Sequence, residues 1–130
     1  MPSIMIVDDC PATTRGLHRL FTSGGYRPTS FPDGMSALEF ARNNALAAAV
    51  IDIHLPDISG LILSQELRKI LGPTAPIVVL SGDTSMEVLN SLAHVGATYF
   101  FQKPVNGSML LRHFYDQLNA SFPLLPKPTT

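Results

Sequence analysis

Residues 47–60 read AAAVIDIHLPDISG. Ala47 to Ile51 form an unbroken run of small and apolar side chains that meets Asp52. A run without polar alternation predicts a strand buried on both faces, as in a parallel sheet. Leu55, Pro56 and Asp57 make a turn, and Ser59-Gly60 opens a new apolar segment. A carboxylate at the carboxyl end of a buried strand stands where open α/β sheets hold their ligands. Aspartate is also common in turns after strands. Asp52 alone therefore reads equally as a cap and as a functional group, and the other strand ends decide.

Working towards the N-terminus, Ser3 to Val7 is a second apolar run, ending in Asp8-Asp9. Pro11 suits the first turn of a helix. That helix carries Leu17, Leu20 and Phe21 at helical spacing and stops at Gly24-Gly25. Tyr26 to Phe31 is a weaker strand, and Pro28 places it at a sheet edge because proline cannot donate to a central ladder. Asp33 is a plausible cap for a helix with Met35, Leu38, Phe40 and Ala41, ended by Asn43-Asn44.

Towards the C-terminus, a helix is expected from Ser59 to Leu71, with Leu61, Leu63, Leu67, Ile70 and Leu71 facing the core and Ile62 facing out. Gly72-Pro73 breaks it. Ile77 to Leu80 is a further buried strand, ending in Ser81-Gly82-Asp83. A fourth helix is expected over 86–95, and a fifth strand over Ala97 to Phe101, ending in Lys103-Pro104. Asn106 can cap a last helix whose core face is Leu110, Leu111, Phe114 and Leu118. Residues 1–121 then form one domain, and 122–130 a proline-rich tail or the start of a linker. Five strands alternating with five helices predict a doubly wound (βα)5 three-layer sandwich, with a parallel sheet in the order 2-1-3-4-5.

Composition narrows the function classes. The chain has 130 residues, 45% of them hydrophobic, enough for one core. A net charge of -1 gives no basic surface for nucleic acid. Cys10 is the sole cysteine, so no internal disulfide can form, in keeping with a reducing compartment. His18, His54, His94 and His113 lack the spacing of a zinc site. The N-terminus has no signal-peptide pattern, and no apolar stretch reaches the ~18–20 residues of a membrane helix. A cytoplasmic protein is expected.

In this topology the carboxyl ends of four strands share one edge and bring Asp8, Asp9, Asp52, Ser81 and Lys103 together. Packed carboxylates repel, and a cation relieves them. An all-oxygen site open to water and phosphate suits Mg²⁺. An aspartate beside a metal and a lysine can act as a nucleophile toward phosphorus.

With these residues placed, the sequence resembles the receiver domain of bacterial two-component response regulators. The resemblance spans residues 3 to about 120. It rests on Val7-Asp8-Asp9, on Asp52 with Leu55-Pro56 and Gly60 behind it, on Ser81-Gly82, and on Gly96-Ala97 leading to Lys103-Pro104. It implies a flavodoxin-like fold and a set of roles. Asp52 is the phosphoacceptor. Asp8, Asp9, Asp52 and the His54 backbone carbonyl hold Mg²⁺, Asp9 directly and Asp8 mostly through water. Lys103 pairs with the phosphoryl group, and the Lys103-Pro104 bond is cis. Ser81 is the switch hydroxyl and Phe100 the switch aromatic. The phosphoryl group comes from a sensor histidine kinase or a phosphotransfer protein. It changes the face made by the fourth helix, fifth strand and fifth helix, which an output partner reads. The reaction is self-modification rather than enzymatic turnover, and dimerisation on phosphorylation stays open.

Other readings compete. A haloacid dehalogenase-type phosphatase uses a similar aspartate, but needs a second aspartate where His54 stands. A flavin-binding domain would place its phosphate against Asp8-Asp9. A receiver-like interaction module that is never phosphorylated need not keep these groups. Three positions depart from common receiver usage. His54 and Asp83 are candidates for tuning acyl-phosphate lifetime, and Ser64 replaces an apolar helix residue. Cys10 is expected to have a raised thiol pKa beside the carboxylates and so to be unreactive.

Overall fold

The computed structural model describes residues 1–82, 97 and 99–120. Strands β1 (Ser3–Val7), β2 (Arg27–Phe31), β3 (Ala48–Asp52), β4 (Ile77–Ser81) and β5 (Tyr99–Gln102) alternate with helices α1 (Pro11–Ser23), α2 (Gly34–Asn43) and α3 (Gly60–Leu71). A helix, α4 (Gly107–Ala120), follows β5. The helix expected over 86–95, together with Asp83 and the tail 122–130, lies outside the described residues. All strand pairs are parallel, in the order β2-β1-β3-β4-β5. The expected order and the edge position of the Pro28 strand are both found.

The unbroken apolar runs are explained by what covers them. Ile4, Ile6, Val50, Val78 and Leu80 pack against Leu17 and Phe21 of α1 and Leu110 and Phe114 of α4. The alternate residues Met5, Val7, Ala49, Ile51 and Ile77 pack against Ala37 and Leu38 of α2 and Leu63 and Leu67 of α3. Successive side chains point to opposite faces, so a central strand needs apolar groups at every position. On one face Phe21 and Phe114 meet edge to face, with ring centroids 5.2 Å apart. Each such buried side chain contributes about 1.5–3 kcal/mol.

The caps follow local chemistry. Asp33 accepts from the Ser36 amide at the start of α2, and Asn106 accepts from the Met109 amide at the start of α4. Gly25 and Gly72 take positive φ just after α1 and α3, a conformation glycine adopts without strain. Ser64 is buried and donates to the Gly60 carbonyl at 2.7 Å, so the polar side chain satisfies itself within its own helix.

Two expectations need correction. On α3, Leu63 and Leu67 are fully buried, whereas Leu61 is half-buried and Ile70 is 37% exposed. The helix meets the sheet along a narrower stripe than a five-residue apolar face suggests. Ala97 lies outside strand structure, and β5 as described, Tyr99–Gln102, pairs with Val78–Ser81 of β4 and runs one residue past Phe101. Ile62 is 52% exposed, as expected.

Candidate functional site

β1 and β3 are neighbours, and each ends in a buried aspartate. Asp8 is 3% exposed and Asp52 7% exposed. The two carboxylates are held in the same way. Asp8 Oδ1 accepts from the Cys10 amide at 2.9 Å, and Asp52 Oδ1 accepts from the His54 amide at 3.1 Å. Each oxygen is thus fixed by the backbone two residues further on, a local bond that aspartate favours. The second oxygen of each faces Lys103. Its Nζ lies 3.1 Å from Asp8 Oδ2 and 3.1 Å from Asp52 Oδ2. Lys103 reaches this point from the end of β5, where its amide donates to the Ser81 carbonyl at 2.9 Å. Asp9 is exposed at the rim.

One ligand oxygen from each of Asp8, Asp9 and Asp52 lies within 4.8 Å of the others. Burial raises the pKa of Asp8, against the opposing pull of the Cys10 amide and Lys103. Burial disfavours the Lys103 ammonium, but its hydrogen bonds to Asp52 and Asp8 outweigh this and raise its pKa. Three carboxylates surround one ammonium here, which leaves an excess of negative charge at a partly buried place. A small divalent cation with oxygen preference fits that donor set.

Gly60 is what lets the loop after Asp52 close. A Cβ there would lie 2.3 Å from the Asp52 carbonyl oxygen and 2.7 Å from Ile53 Cα. The Gly60 amide donates to the Ile53 carbonyl at 2.9 Å, and His54 bridges to Ser59. Ser81 is fully buried at the end of β4, one residue beyond the Leu80 that pairs with Asp52. Phe100 pairs with Val79. Tyr99 and Phe101 flank it and share the opposite face, with ring centroids 4.9 Å apart. The Lys103-Pro104 bond is cis. The structure thus brings Asp8, Asp9, Asp52 and Lys103 together, sets Ser81 on the adjoining strand end, and leaves Phe100 on β5 away from α4.

The expectation for Cys10 is overturned. Its pKa is lowered, through the Thr13 side chain first and then the amides of Thr13 and Ala12, while Asp8 only opposes this. The cause is the position of Cys10 at the N-cap of α1, where amides face the thiol even though its sulfur makes no capping hydrogen bond. Two contributors escaped the sequence reading. Thr14 Oγ1 donates to the Asp8 carbonyl at 3.4 Å. Asp57 binds the first-turn amides of α2, on Gly34 and Met35. Asp57 is more than twenty residues from those amides, and no local pattern marks it.

An open parallel sheet with buried carboxylates and a lysine at its carboxyl edge defines an α/β domain whose edge is an acidic, oxygen-lined cluster of the kind that suits a divalent cation. Comparison with known proteins is specific. The model of the response regulator receiver domain family matches residues 4–115, and the chain belongs to that family. The response regulator MprA of a Mycobacterium species is 31% identical over 120 residues, covering 92% of this chain and 52% of that protein. A CheY-like receiver domain protein from Methanospirillum hungatei has TM-score 0.86 at 28% identity, covering 92% of this chain and 95% of that one. The receiver domain of the sensor histidine kinase PA1611 from Pseudomonas aeruginosa, with a magnesium ion in its active-site cleft, shares the fold at TM-score 0.81 and 24% identity. That match covers 91% of this chain and 98% of that domain. The chain spans 18% to 52% of the length of the first curated relatives it matches. Among the described residues no helix is long and apolar enough to cross a membrane.

Proposed function

We propose that Asp52 is the phosphoacceptor of this receiver domain. The observation that carries this reading is the Lys103 ammonium 3.1 Å from both Asp8 and Asp52, with Asp9 close enough to complete an oxygen cluster. A histidine kinase or phosphotransfer protein supplies the phosphoryl group. An Asp52 oxygen attacks phosphorus, the P–N bond to the donor histidine breaks, and its electron pair returns to the imidazole. Asp8, Asp9, Asp52 and the His54 carbonyl would hold Mg²⁺, which supplies charge neutralisation when bound. Lys103, from the end of β5 one strand beyond β4, neutralises the developing phosphoryl charge. Ser81 donates its hydroxyl to the phosphoryl group, and Phe100 follows it, changing the face around β5. The charge added at Asp52 shifts a population between two states, and an output partner that prefers one state draws on that shift.

The product is a modified protein, and the same chain is acceptor and site of slow hydrolysis, so turnover of a separate substrate is not its task. The domain occupies residues 1–121, with 122–130 as tail or linker, and acts in the cytoplasm where its phosphodonors work. The test is incubation with acetyl phosphate and Mg²⁺, read by intact mass. A species heavier by about 80 Da, one phosphoryl group on one acceptor, is expected in the wild type and absent in Asp52→Asn. Label that survives that substitution, or none in the wild type, overturns the assignment.

A further inference from the structure

The loop that follows Asp52 is fastened at two places. At its base the His54–Ser59 bridge and the Gly60 amide on the Ile53 carbonyl close residues 53–59 into a ring. At its tip Asp57 leaves the ring and grips another element. Asp57 Oδ1 accepts from the Gly34 amide at 2.9 Å and the Ile58 amide at 2.8 Å, and Oδ2 accepts from the Met35 amide at 2.8 Å. Ile58 sits directly on Gly34, where a Cβ would lie 2.5 Å from Ile58 Cγ1. Carboxylate and side chain together form a latch onto the first turn of α2.

This is more than a cap. The first amides of a helix lack partners within it. Asp33, the local cap, takes the Ser36 amide. The Gly34 and Met35 amides are left, and they are taken by a carboxylate from a loop more than twenty residues away in sequence. The joined corner touches the site from both sides. Just before α2, the Phe31 carbonyl accepts from the Asp8 amide at 3.1 Å. At the other end of the ring, the His54 amide is bonded to Asp52 Oδ1.

We propose that Asp57 is a positioning residue for the acceptor carboxylate: by latching the 53–59 ring to α2, it holds the His54 amide on Asp52 and the His54 carbonyl in place for a cation. The proposal rests on the reading of Asp52 as phosphoacceptor. Asp57 touches no reacting atom and acts through the backbone it fixes.

The test uses the whole chain and three variants: Asp57→Ala, Asp57→Asn and Asp33→Ala. The main readout is hydrogen exchange at the His54 amide without phosphodonor, followed by Mg²⁺ titration and the labelling rate with acetyl phosphate. Loss of the latch in Asp57→Ala should speed His54 exchange about tenfold, the local opening equivalent of one or two hydrogen bonds. It should also weaken Mg²⁺ binding and lower the labelling rate severalfold at fixed Mg²⁺. Asp57→Asn keeps one acceptor oxygen and should fall between. Asp33→Ala removes the other carboxylate from the same helix end. It should lower the melting temperature while leaving His54 exchange and Mg²⁺ affinity unchanged. Unchanged His54 exchange in Asp57→Ala overturns the proposal. So does an equal acceleration in Asp33→Ala, since the effect would then come from the helix end alone. If the wild type takes no label, the acceptor reading fails while the exchange and Mg²⁺ readouts still decide whether Asp57 positions the ring.

Discussion

β3 and β5 each deliver one charged group to the same site, and they do so from opposite conditions. β3 is central and buried at every position, and its carboxylate is held by the His54 amide of a ring tied down by Gly60 and Asp57. β5 is flanked by β4 on one side among the described residues, is half-exposed, and places Tyr99 at 52% exposure. Its charge arrives on the long stem of Lys103, which is 27% exposed. The Asp52 carboxylate is therefore fixed by backbone, whereas the counter-charge hangs on rotatable bonds, a division that suits their proposed roles as acceptor and phosphoryl partner. A group that must meet an incoming phosphorus gains from being held in place. A group that must follow charge from carboxylate to phosphoryl oxygen gains from freedom.

The largest test of this division is chemical. Lys103→Ala should lower the initial labelling rate from acetyl phosphate about 10²–10³-fold, the usual loss for one preorganised electrostatic contact. A loss below tenfold would mean that β5 contributes little. Truncation in the buried strand comes next. Ile51→Ala should cost about 2–5 kcal/mol in urea unfolding, whereas Tyr99→Ala on β5 should cost about 0.5 kcal/mol or less. Equal losses would erase the contrast. Gly60→Ala forces a Cβ onto the Asp52 carbonyl, and backbone cannot swing aside. About 1–3 kcal/mol of destabilisation is expected, together with faster exchange at the His54 amide.

The smallest effect lies where α4 covers β5. His113 packs against Tyr99 at a tilt and against Phe101 edge to face, with ring centroids 4.9 and 5.8 Å away. Its Nε2 is buried without a hydrogen-bond partner among the described residues. Burial lowers its pKa, opposed by Asp116 on the same helix. With the folded pKa below the unfolded value of about 6.5, the unfolded chain binds the proton first. Stability is then fully present above that value and falls as pH drops through it. As pH falls below about 6.5, the urea midpoint of the wild type should decline more steeply than that of His113→Gln. Parallel curves would remove His113 as the cause.

The legible parts of this molecule are those written in local pattern. Apolar runs ending in Asp8-Asp9, Asp52, Ser81 and Lys103 fixed both the sheet and its charged edge, because a buried parallel strand needs apolar side chains at consecutive positions. Cys10 departs from its expectation because the neighbouring carboxylates are visible in sequence, whereas the amides of Ala12 and Thr13 converge on the thiol only once α1 is wound. In sequence Asp57 reads only as a turn residue, since its partners at Gly34 and Met35 become neighbours only through packing of α3 beside α2. On α3, spacing marks which residues share a side of the helix. It does not say how wide the contact will be, and Ile70 fell outside it.

The wholly parallel sheet also has a kinetic consequence. Each ladder joins partners more than twenty residues apart: Ser3 with Arg27, Ile4 with Ala48, Ala49 with Ile77, Val78 with Tyr99. Among the described residues no strand pair is joined by a hairpin, so loop closure comes before any of these ladders can form. Of the five strands, Ser3–Val7 is synthesised before the others, yet it can be flanked on both sides only after Ala48 has followed. The strand that will carry Asp8 therefore spends the longest time without its neighbours.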